Sequence, residues 1–535
     1  MSLPQTVAEV LRDHVTLEYE SVDRMYLNLY VPQLQSVGGV VGYLHKHHGQ
    51  RFASTVALAP KSREFVQAVK EFAEREQIDV VHFKKGQRKD EVTQEYLGRF
   101  KGTEGVLYIG IAQEKARVMR TERRNNPVTG GTYPWVVSST AMVNHVYFYC
   151  VDEQAGPFFI KFCTYFPYNG KLCLNGNEYA KCQLRNRGIA FEALDNGVRC
   201  CADPEALQPI CEGFDAAFIE GLTRKWFQRL PHPYTPQDRR AGLRYDISIL
   251  QAEFSLTQVL DRPASGRAFF EDVIRENLDL GRPSQVQLIF ERRITRRTPG
   301  RFRTRVITSG VTPSLHVDYK HSRIKQYHKE GQALRTETTV NDTYDFALGR
   351  RLSNLAALCQ VGFTANRRLL TMETISHDCA LGEDQLQRHQ RGLEFHGQRA
   401  SALRFADERV QALMQTLLLF VLSARGFSNR DLRGHLGALL GLEPSHMRPG
   451  RMSYDLRRLR LHGLIERIDG AYRYHVTEHG LTVAMFYCRV YNRILRPGLA
   501  HLAPDAVTGN TPTHRRFAAI TKNLDAFCDQ AKLAA

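Results

Sequence analysis

A chain of 535 residues that is 43% hydrophobic is long enough for roughly two to four domains with cores of their own. Lysine and arginine outnumber aspartate and glutamate by 73 to 56, and the resulting charge of +17 favours a polyanionic partner over an acidic small substrate. No run of about 18 apolar residues occurs, and the first twenty residues hold no basic segment followed by an apolar one, so the expectation is a cytoplasmic protein with no membrane partner.

Eleven cysteines are present, and seven of them (Cys150, Cys163, Cys173, Cys182, Cys200, Cys201, Cys211) crowd one region without a CxxC pair. That spacing suits buried free thiols in a reducing compartment rather than a zinc site.

Residues 1 to about 135 read as mixed α/β. Val15 to Tyr19 alternates like a strand, Lys61 to Glu76 is an amphipathic helix, and Ile78 to Phe83 is a short buried strand. The basic run Lys84 to Glu91 follows that strand, and Gly105 to Gln113 reads as a second strand followed by the charged run EKARVMRTERR. Basic residues just beyond strand ends are where an α/β domain offers phosphate contacts. His45, His47 and His48 are similar to the His-hydrophobic-His signature of rolling-circle endonucleases, but Lys46 stands where that strand has an apolar residue, and a polar loop before Gly49 is expected.

From Tyr133 to Gly197 the chain is strand-rich and aromatic. Asn144 to Val151 and Pro157 to Tyr168 flank a five-residue loop and read as a β-hairpin. In its second strand Phe158, Ile160 and Phe162 share one face, and Phe159, Lys161 and Tyr165 the other. A helix closing at Gly188 follows. Residues 203 to 280 read as helical, including Arg244 to Leu260, where Asp246 and Glu253 would share a helical face.

The most charged tract comes next. After the apolar strand Val286 to Phe290, Arg292, Arg293, Arg296, Arg297, Arg301, Arg303 and Arg305 lie on either side of a turn at Pro299 and Gly300. Seven guanidinium groups cannot be buried without partners, so they are expected to face solvent or phosphate, and arginine suits bidentate phosphate recognition. Farther on, Leu315, Val317 and Tyr319 point one way and His316, Asp318 and Lys320 the other. The run Tyr327, Lys329, Leu334, Arg335 and Glu337 is similar, over about thirty residues, to a strand pair of phage and plasmid replication initiators. That resemblance implies a nicking centre in which Tyr319 or Tyr327 is the nucleophile and His316, Asp318 and Glu337 ligate Mg²⁺ or Mn²⁺.

Gln411 to Leu481 carries the clearest architecture. An apolar run ends at Gly426, Ser428 is placed to cap a second helix that stops at Gly441, and a third helix carries Met452, Leu456 and Leu459 at the spacing of a buried stripe. Its other face holds Arg451, Tyr454, Arg457, Arg458 and Arg460. Beyond Gly463 the period becomes two, with Asp469-Gly470 as a hairpin turn between alternating runs, and Thr477 caps a last helix. This order resembles the winged helix-turn-helix of bacterial DNA-binding proteins and implies DNA contacts by the Arg and Tyr side chains of the third helix, with the wing residues Arg467 and Arg473 on the backbone. A solvated basic face or a protein-docking module is the competing reading.

Across most of its length, through TYPWVVSSTAMVNHVYFYCVD, ILQAEFSLTQVLDRP, GVTPSLHVDYKHSRIKQYHKEGQALRTETT and MSYDLRRLRLHGLIER, the chain resembles a family of predicted bacterial proteins, a resemblance that supplies neither fold nor function. The expectation is an α/β (α+β) multidomain protein: an α/β domain over 1–135, a mixed core over 136–380 with the Arg-rich hairpin inside 286–341, a linker over 381–402, a winged helix-turn-helix over 403–495, and a tail with a terminal helix over 496–535. The expected function is binding of DNA, or of RNA at the Arg-rich hairpin, in a mobile-element or replication system. The alternatives are a metal-dependent nickase, a transcriptional regulator and a docking scaffold.

Overall fold

The computed structural model describes residues 7–84, 86–262, 301–309, 312–329, 332–378, 381–395, 397–420, 427–442, 446–468 and 470–491. The described residues fall in two compact units, one within 9–262 and 301–367, the other within 7–8 and 368–491. Both helices and a large mixed sheet are present, in agreement with the α/β reading.

In the first unit the strands are β1 (Val15–Tyr30), β2 (Val80–His82), β3 (Gly105–Asn125), β4 (Thr132–Asp152), β5 (Gly156–Cys163), β6 (Gly170–Asn175), β7 (Phe191–Leu194), β8 (Gly197–Cys201), β9 (Asp246–Leu260), β10 (Arg301–Ser309), β11 (Thr312–Lys320), β12 (Ser322–Lys329) and β13 (Ala333–Val340). All but the β7–β8 hairpin join one sheet in the order β10-β11-β12-β13-β9-β1-β6-β5-β4-β3-β2. Every neighbouring pair in it is antiparallel except β2 and β3.

The helices are α1 (Val7–His14), α2 (Val37–His48), α3 (Ala59–Arg75), α4 (Lys89–Arg99), α5 (Gly176–Asn186), α6 (Pro204–Glu212), α7 (Ala216–Arg229), α8 (Pro236–Arg240) and α9 (Leu355–Asp378), with residues 7–8 of α1 and 368–378 of α9 counted in the second unit.

Several expectations change. The boundary at residue 135 falls inside β4, and strands from both sides of it share the sheet. Arg244 to Leu260 is largely the strand β9, not a helix: buried on both faces, it shows no alternation, and its apolar spacing mimics a helical stripe. The helical face expected for Asp246 and Glu253 is therefore absent: Asp246 pairs with Tyr30 of β1, and a register shift between Tyr26↔Gln251 and Leu27↔Ile249 separates it from Glu253. EKARVMRTERR prolongs β3, which pairs with β4 as far as Asn125↔Thr132. His45, His47 and His48 end α2 instead of occupying a loop, and Gly49 closes that helix at φ +59. The strand and turn expected at 286–300, with Arg292, Arg293, Arg296 and Arg297, and the tail at 496–535 lie outside the described residues. The register sets Arg301, Arg303 and Arg305 of β10 opposite Lys320, Asp318 and His316 of β11.

Period two divides the sheet into an apolar and a polar face. On the apolar side Phe162 meets Phe65 of α3, Phe148 meets Phe72, and Phe158 meets Trp226 of α7, at centroid separations of 6.2, 6.3 and 5.2 Å. Each such buried ring contributes on the order of 1.5–3 kcal/mol. Helix α9 comes so close that a Cβ at Gly362 would stand 2.3 Å from the Phe254 ring, which only glycine avoids. Along β5, Phe158, Ile160 and Phe162 alternate with Phe159 and Lys161 as expected, but Tyr165 lies beyond the end of the strand at Cys163.

The second unit holds α10 (Glu383–Gln390), the hairpin β14 (Leu393–Phe395) and β15 (Gln398–Ala400), α11 (Glu408–Phe420), α12 (Asn429–Leu439), α13 (Pro449–Leu461), the hairpin β16 (Ile465–Arg467) and β17 (Tyr474–Val476), and α14 (Glu478–Val490). The expected linker is thus folded. Ser428 caps α12 in a capping box with Asp431, and Thr477 caps α14. Met452, Leu456 and Leu459 enter a core with Leu413, Leu417, Leu432, Leu436 and Tyr487. Ile468 N donates to Arg473 O at 2.9 Å and Ala471 N to Ile468 O at 3.1 Å, while Asp469 of the expected hairpin turn lies outside the described residues. Phe427 and Tyr474 exchange backbone bonds at 2.9 and 2.8 Å, adding a bridge beside the hairpin.

Candidate functional site

The polar face of the sheet collects charged residues from strands far apart in sequence. Thr339 pairs with Glu253, and Glu337 pairs with Ser255, which sets Glu337 and Glu253 diagonally on one face. On β1, Val22 pairs with Phe254 and Met25 with Ala252, so Asp23 and Arg24 together oppose the single residue Glu253. This bulge aims an additional side chain at the spot. Carboxylate oxygens of Asp23, Glu253 and Glu337 all lie within 4.8 Å of one another.

Arg335, fully buried, ties this group together. It donates to the Asp23 carboxylate at 2.7 Å, to Ser255 Oγ at 3.0 Å and to the carbonyl of Asn196. Asp23 also accepts from Asn177 Nδ2 at 3.2 Å and from Asn196 Nδ2. Burial, and then the charge of Glu337, push the Glu253 carboxyl up to about 7. Burial and then the charge of Asp23 raise Glu337 as well. Three carboxylates offering oxygen at such spacing fit a hard divalent cation, which would relieve the repulsion that lifts both glutamates. Glu253 and Glu337 are its natural ligands, because both Asp23 oxygens already accept hydrogen bonds.

The four residues expected to form a nicking centre share this face, but they do not converge. His316 pairs across β11 and β12 with Lys325, which pairs with Glu337, so one whole strand separates His316 from Glu337. Asp318 pairs with Arg323. At about 4.8 Å per strand, neither reaches the carboxylates that approach Glu337. Tyr327 does reach it: its hydroxyl donates to Glu337 Oε2 at 3.2 Å. Burial, and then the charge of Glu337, raise the Tyr327 pKa, which keeps its proton in place and suits orienting the carboxylate better than nucleophilic attack. Tyr319 lies on the opposite face, stacked on Phe346 with centroids 5.6 Å apart.

Sequence reasoning missed Asp23 and gave Glu253 the wrong partner, Asp246. A second set within 4.8 Å, His321, Asp342 and Asp345, has its carboxylates occupied: Asp345 accepts from His321 N and Ser322 Oγ, and Asp342 caps Tyr344 N.

Along the same face a cleft of about 650 Å³ opens between α4 and the strands, lined by Arg24, Tyr26, Lys89, Glu114, Tyr147, Lys161, Lys171, Cys173 and Gln251, among others. Glu114 accepts from Lys89 at 2.9 Å, Lys161 at 2.5 Å and the Tyr147 hydroxyl. Burial alone would raise this carboxyl, but the bonds from Lys161 and Tyr147 hold it down at about 2.

In the second unit Arg451, Tyr454, Arg457 and Arg460 of α13 are exposed, as expected, and so is Arg467. Arg458 is not. It is 7% exposed, and its guanidinium donates to the carbonyls of Ser401, at 3.1 Å, and Ala402. The cause is a second, polar stripe on α13: Asp455, Arg458 and His462, at helical spacing, are all buried, and Asp455 pairs with Arg409. Tyr454 donates to Ser401 Oγ at 2.9 Å and Arg457 to Arg399 O at 3.0 Å. On the hairpin, Arg467 lies over the Tyr472 ring and Arg473 stands 3.5 Å from Asp431.

Three histidines join this region. His462 Nε2 faces Ser401 O at 3.0 Å, His462 Nδ1 faces His389 Nδ1 at 3.4 Å, and His389 Nε2 faces His479 Nε2 at 2.9 Å. A carbonyl only accepts, so His462 donates through Nε2 and accepts at Nδ1. His389 then donates through Nδ1 and accepts from His479, an assignment consistent with three neutral rings.

No protein-family model, no curated protein and no solved structure matches this chain.

Proposed function

We propose that this protein binds nucleic acid, and that α11 to α14 with the β16–β17 hairpin act as a winged helix on duplex DNA. The observation that carries this reading is the open side of α13: Arg451 and Arg460 are exposed with no carboxylate paired to them among the described residues, and Tyr454 and Arg457 flank them in solvent. Guanidinium groups on an exposed helix reach phosphate oxygens and guanine edges alike. Arg458 contributes by fixing the 399–402 segment against the helix, not by touching DNA. Binding of a labelled duplex between 50 and 200 mM salt tests the reading, since a phosphate-contacting protein loses affinity steeply over that range. Salt-independent or absent binding refutes it.

A second reading, favoured by the carboxylate group alone, makes the sheet a metal-dependent phosphodiesterase centre. Glu253 and Glu337 would hold Mg²⁺ or Mn²⁺, Asp23 and Arg335 would fix their positions, and Tyr327 would orient Glu337. The cation would stabilise charge developing on a phosphoryl oxygen. Relaxation of supercoiled plasmid that requires the cation and is abolished in both Glu253→Gln and Glu337→Gln supports it. Binding without cleavage leaves the DNA-binding reading alone.

A further inference from the structure

We propose that the cleft between α4 and the sheet is a binding pocket for a phosphate monoester, recognised by Lys171, Lys161, Lys89 and Arg24. The argument starts from register. Lys161 of β5 and Lys171 of β6 are directly opposite one another, and both line the cleft. Like charges in that relation destabilise a sheet. Lys161 is 4% exposed, so its charge is not screened by water. Glu114 neutralises Lys161, and it also serves Lys89. Lys171 has no ion pair and no hydrogen bond among the described residues; its ammonium stands 5.0 Å from the centre of the Tyr26 ring. Burial lowers the Lys171 pKa, with only partial compensation from Glu114.

Around the cleft four cations face two carboxylates, Asp90 and Glu114. The surplus of two positive charges matches the charge of about −1.5 to −2 on a phosphate monoester near neutral pH. The tyrosines extend the fit. Tyr26 and Tyr147 present their faces to the ammonium groups, with Lys89 4.0 Å from the Tyr147 centroid, and so hold the lysines in place without neutralising them. A phosphodiester carries one charge and would leave the cleft under-neutralised, which selects a terminal phosphate over an internal one. The ligand is either the 5′-phosphorylated end of a strand or a free mononucleotide. The pocket adjoins the carboxylate group through Arg24, which sits beside Asp23 opposite Glu253, and its test reads binding rather than cleavage.

The experiment measures affinity of the full chain, without divalent cations, for a 5′-phosphorylated and a 5′-hydroxyl oligonucleotide of the same sequence, alongside thermal shifts with a nucleoside 5′-monophosphate and with inorganic phosphate at constant ionic strength. The expected result is at least a tenfold preference for the phosphorylated strand, or a rise in Tm with the mononucleotide; the first identifies a strand end and the second a free nucleotide. In Lys171→Met, which removes a like-charge pair and retains the aliphatic stem, the preference or the shift disappears while affinity for the 5′-hydroxyl strand is unchanged. Equal affinity for the two strands together with no shift from either phosphate overturns the proposal, and so does an unchanged response in Lys171→Met. Absence of affinity for either strand leaves the mononucleotide arm to decide the pocket, while the duplex salt titration decides the DNA-binding reading separately.

Discussion

Arg335 and Asp23 are joined by a 2.7 Å charged hydrogen bond although 312 residues separate them in the chain. Both are almost wholly buried, so neither charge has water to fall back on. Breaking such a pair from one side leaves a bare charge in a low-dielectric layer, at a cost of about 3–5 kcal/mol. Arg335→Met is expected to lower the unfolding free energy of the sheet unit by that amount, read as a drop in the urea midpoint at unchanged slope, and Asp23→Asn in the same chain should recover part of the loss. A variant as stable as the wild type would show that the pair does not hold β1 to β13.

Glu253 gives the sheet unit a dependence on pH. Its pKa stands at about 7 in the fold, above the ordinary carboxylate value, so the folded state binds more protons than the unfolded one between roughly pH 4.5 and 7. Stability contributed by the neutral form is therefore present at the acid end and is lost as pH rises through 7. Protein free of divalent ions should lose stability over that interval, Glu253→Gln should flatten the curve, and Mn²⁺ should restore stability above pH 7 in the wild type only. Calorimetry across the interval, with and without Mn²⁺, reads all three.

The histidine chain has the opposite slope. Burial lowers His389 to about 4, and burial likewise lowers His462 and His479. Below the ordinary histidine value the unfolded state takes up protons that the fold resists, so stability falls as pH drops from about 6.5 toward 4. The second unit should unfold more readily at pH 5 than at pH 7.5, and His389→Phe should weaken that difference. Hydrogen exchange on α13 and α14 follows this unit specifically.

Salt dependence separates the arginines of α13. Replacing Arg451 or Arg460 by alanine should reduce the slope of log affinity against log salt by about 0.9 for each phosphate no longer neutralised, with little change in stability. Arg458→Ala should do the reverse. It leaves the carbonyls of Ser401 and Ala402 without their donor, at about 1–3 kcal/mol, and affects the slope only through unfolding.

How much of the fold was legible in the sequence depended on distance along the chain. Ser428, Thr477 and the stripe of Met452, Leu456 and Leu459 were readable because caps and helical spacing are local rules. Strand β9 was not: Ser248, Ile249, Ala252 and Phe254 are buried whichever way they point, and alternation vanishes when both faces of a strand are covered. Glu337 and Tyr327 were singled out together and do meet, since they sit on paired strands that are close in the sequence. The company Glu337 keeps was hidden, because Asp23 and Glu253 arrive from strands far earlier in the chain and a bulge decides which residues turn inward. Arg458 was misplaced because a buried polar stripe on a helix has the same composition as a solvated one.

The position of β1 governs the order in which the protein can be made. Its edge toward β9 waits for residues more than two hundred positions downstream, as the Ser21 and Ser255 bond across 234 residues shows. At ribosomal speeds of about 5–20 residues per second, that interval lasts on the order of ten to fifty seconds. Throughout it the nascent chain displays a long unpaired strand edge, the kind of surface to which other chains adhere. Yield on expression should accordingly respond to translation rate and to holdase chaperones far more than to the stability of the finished fold.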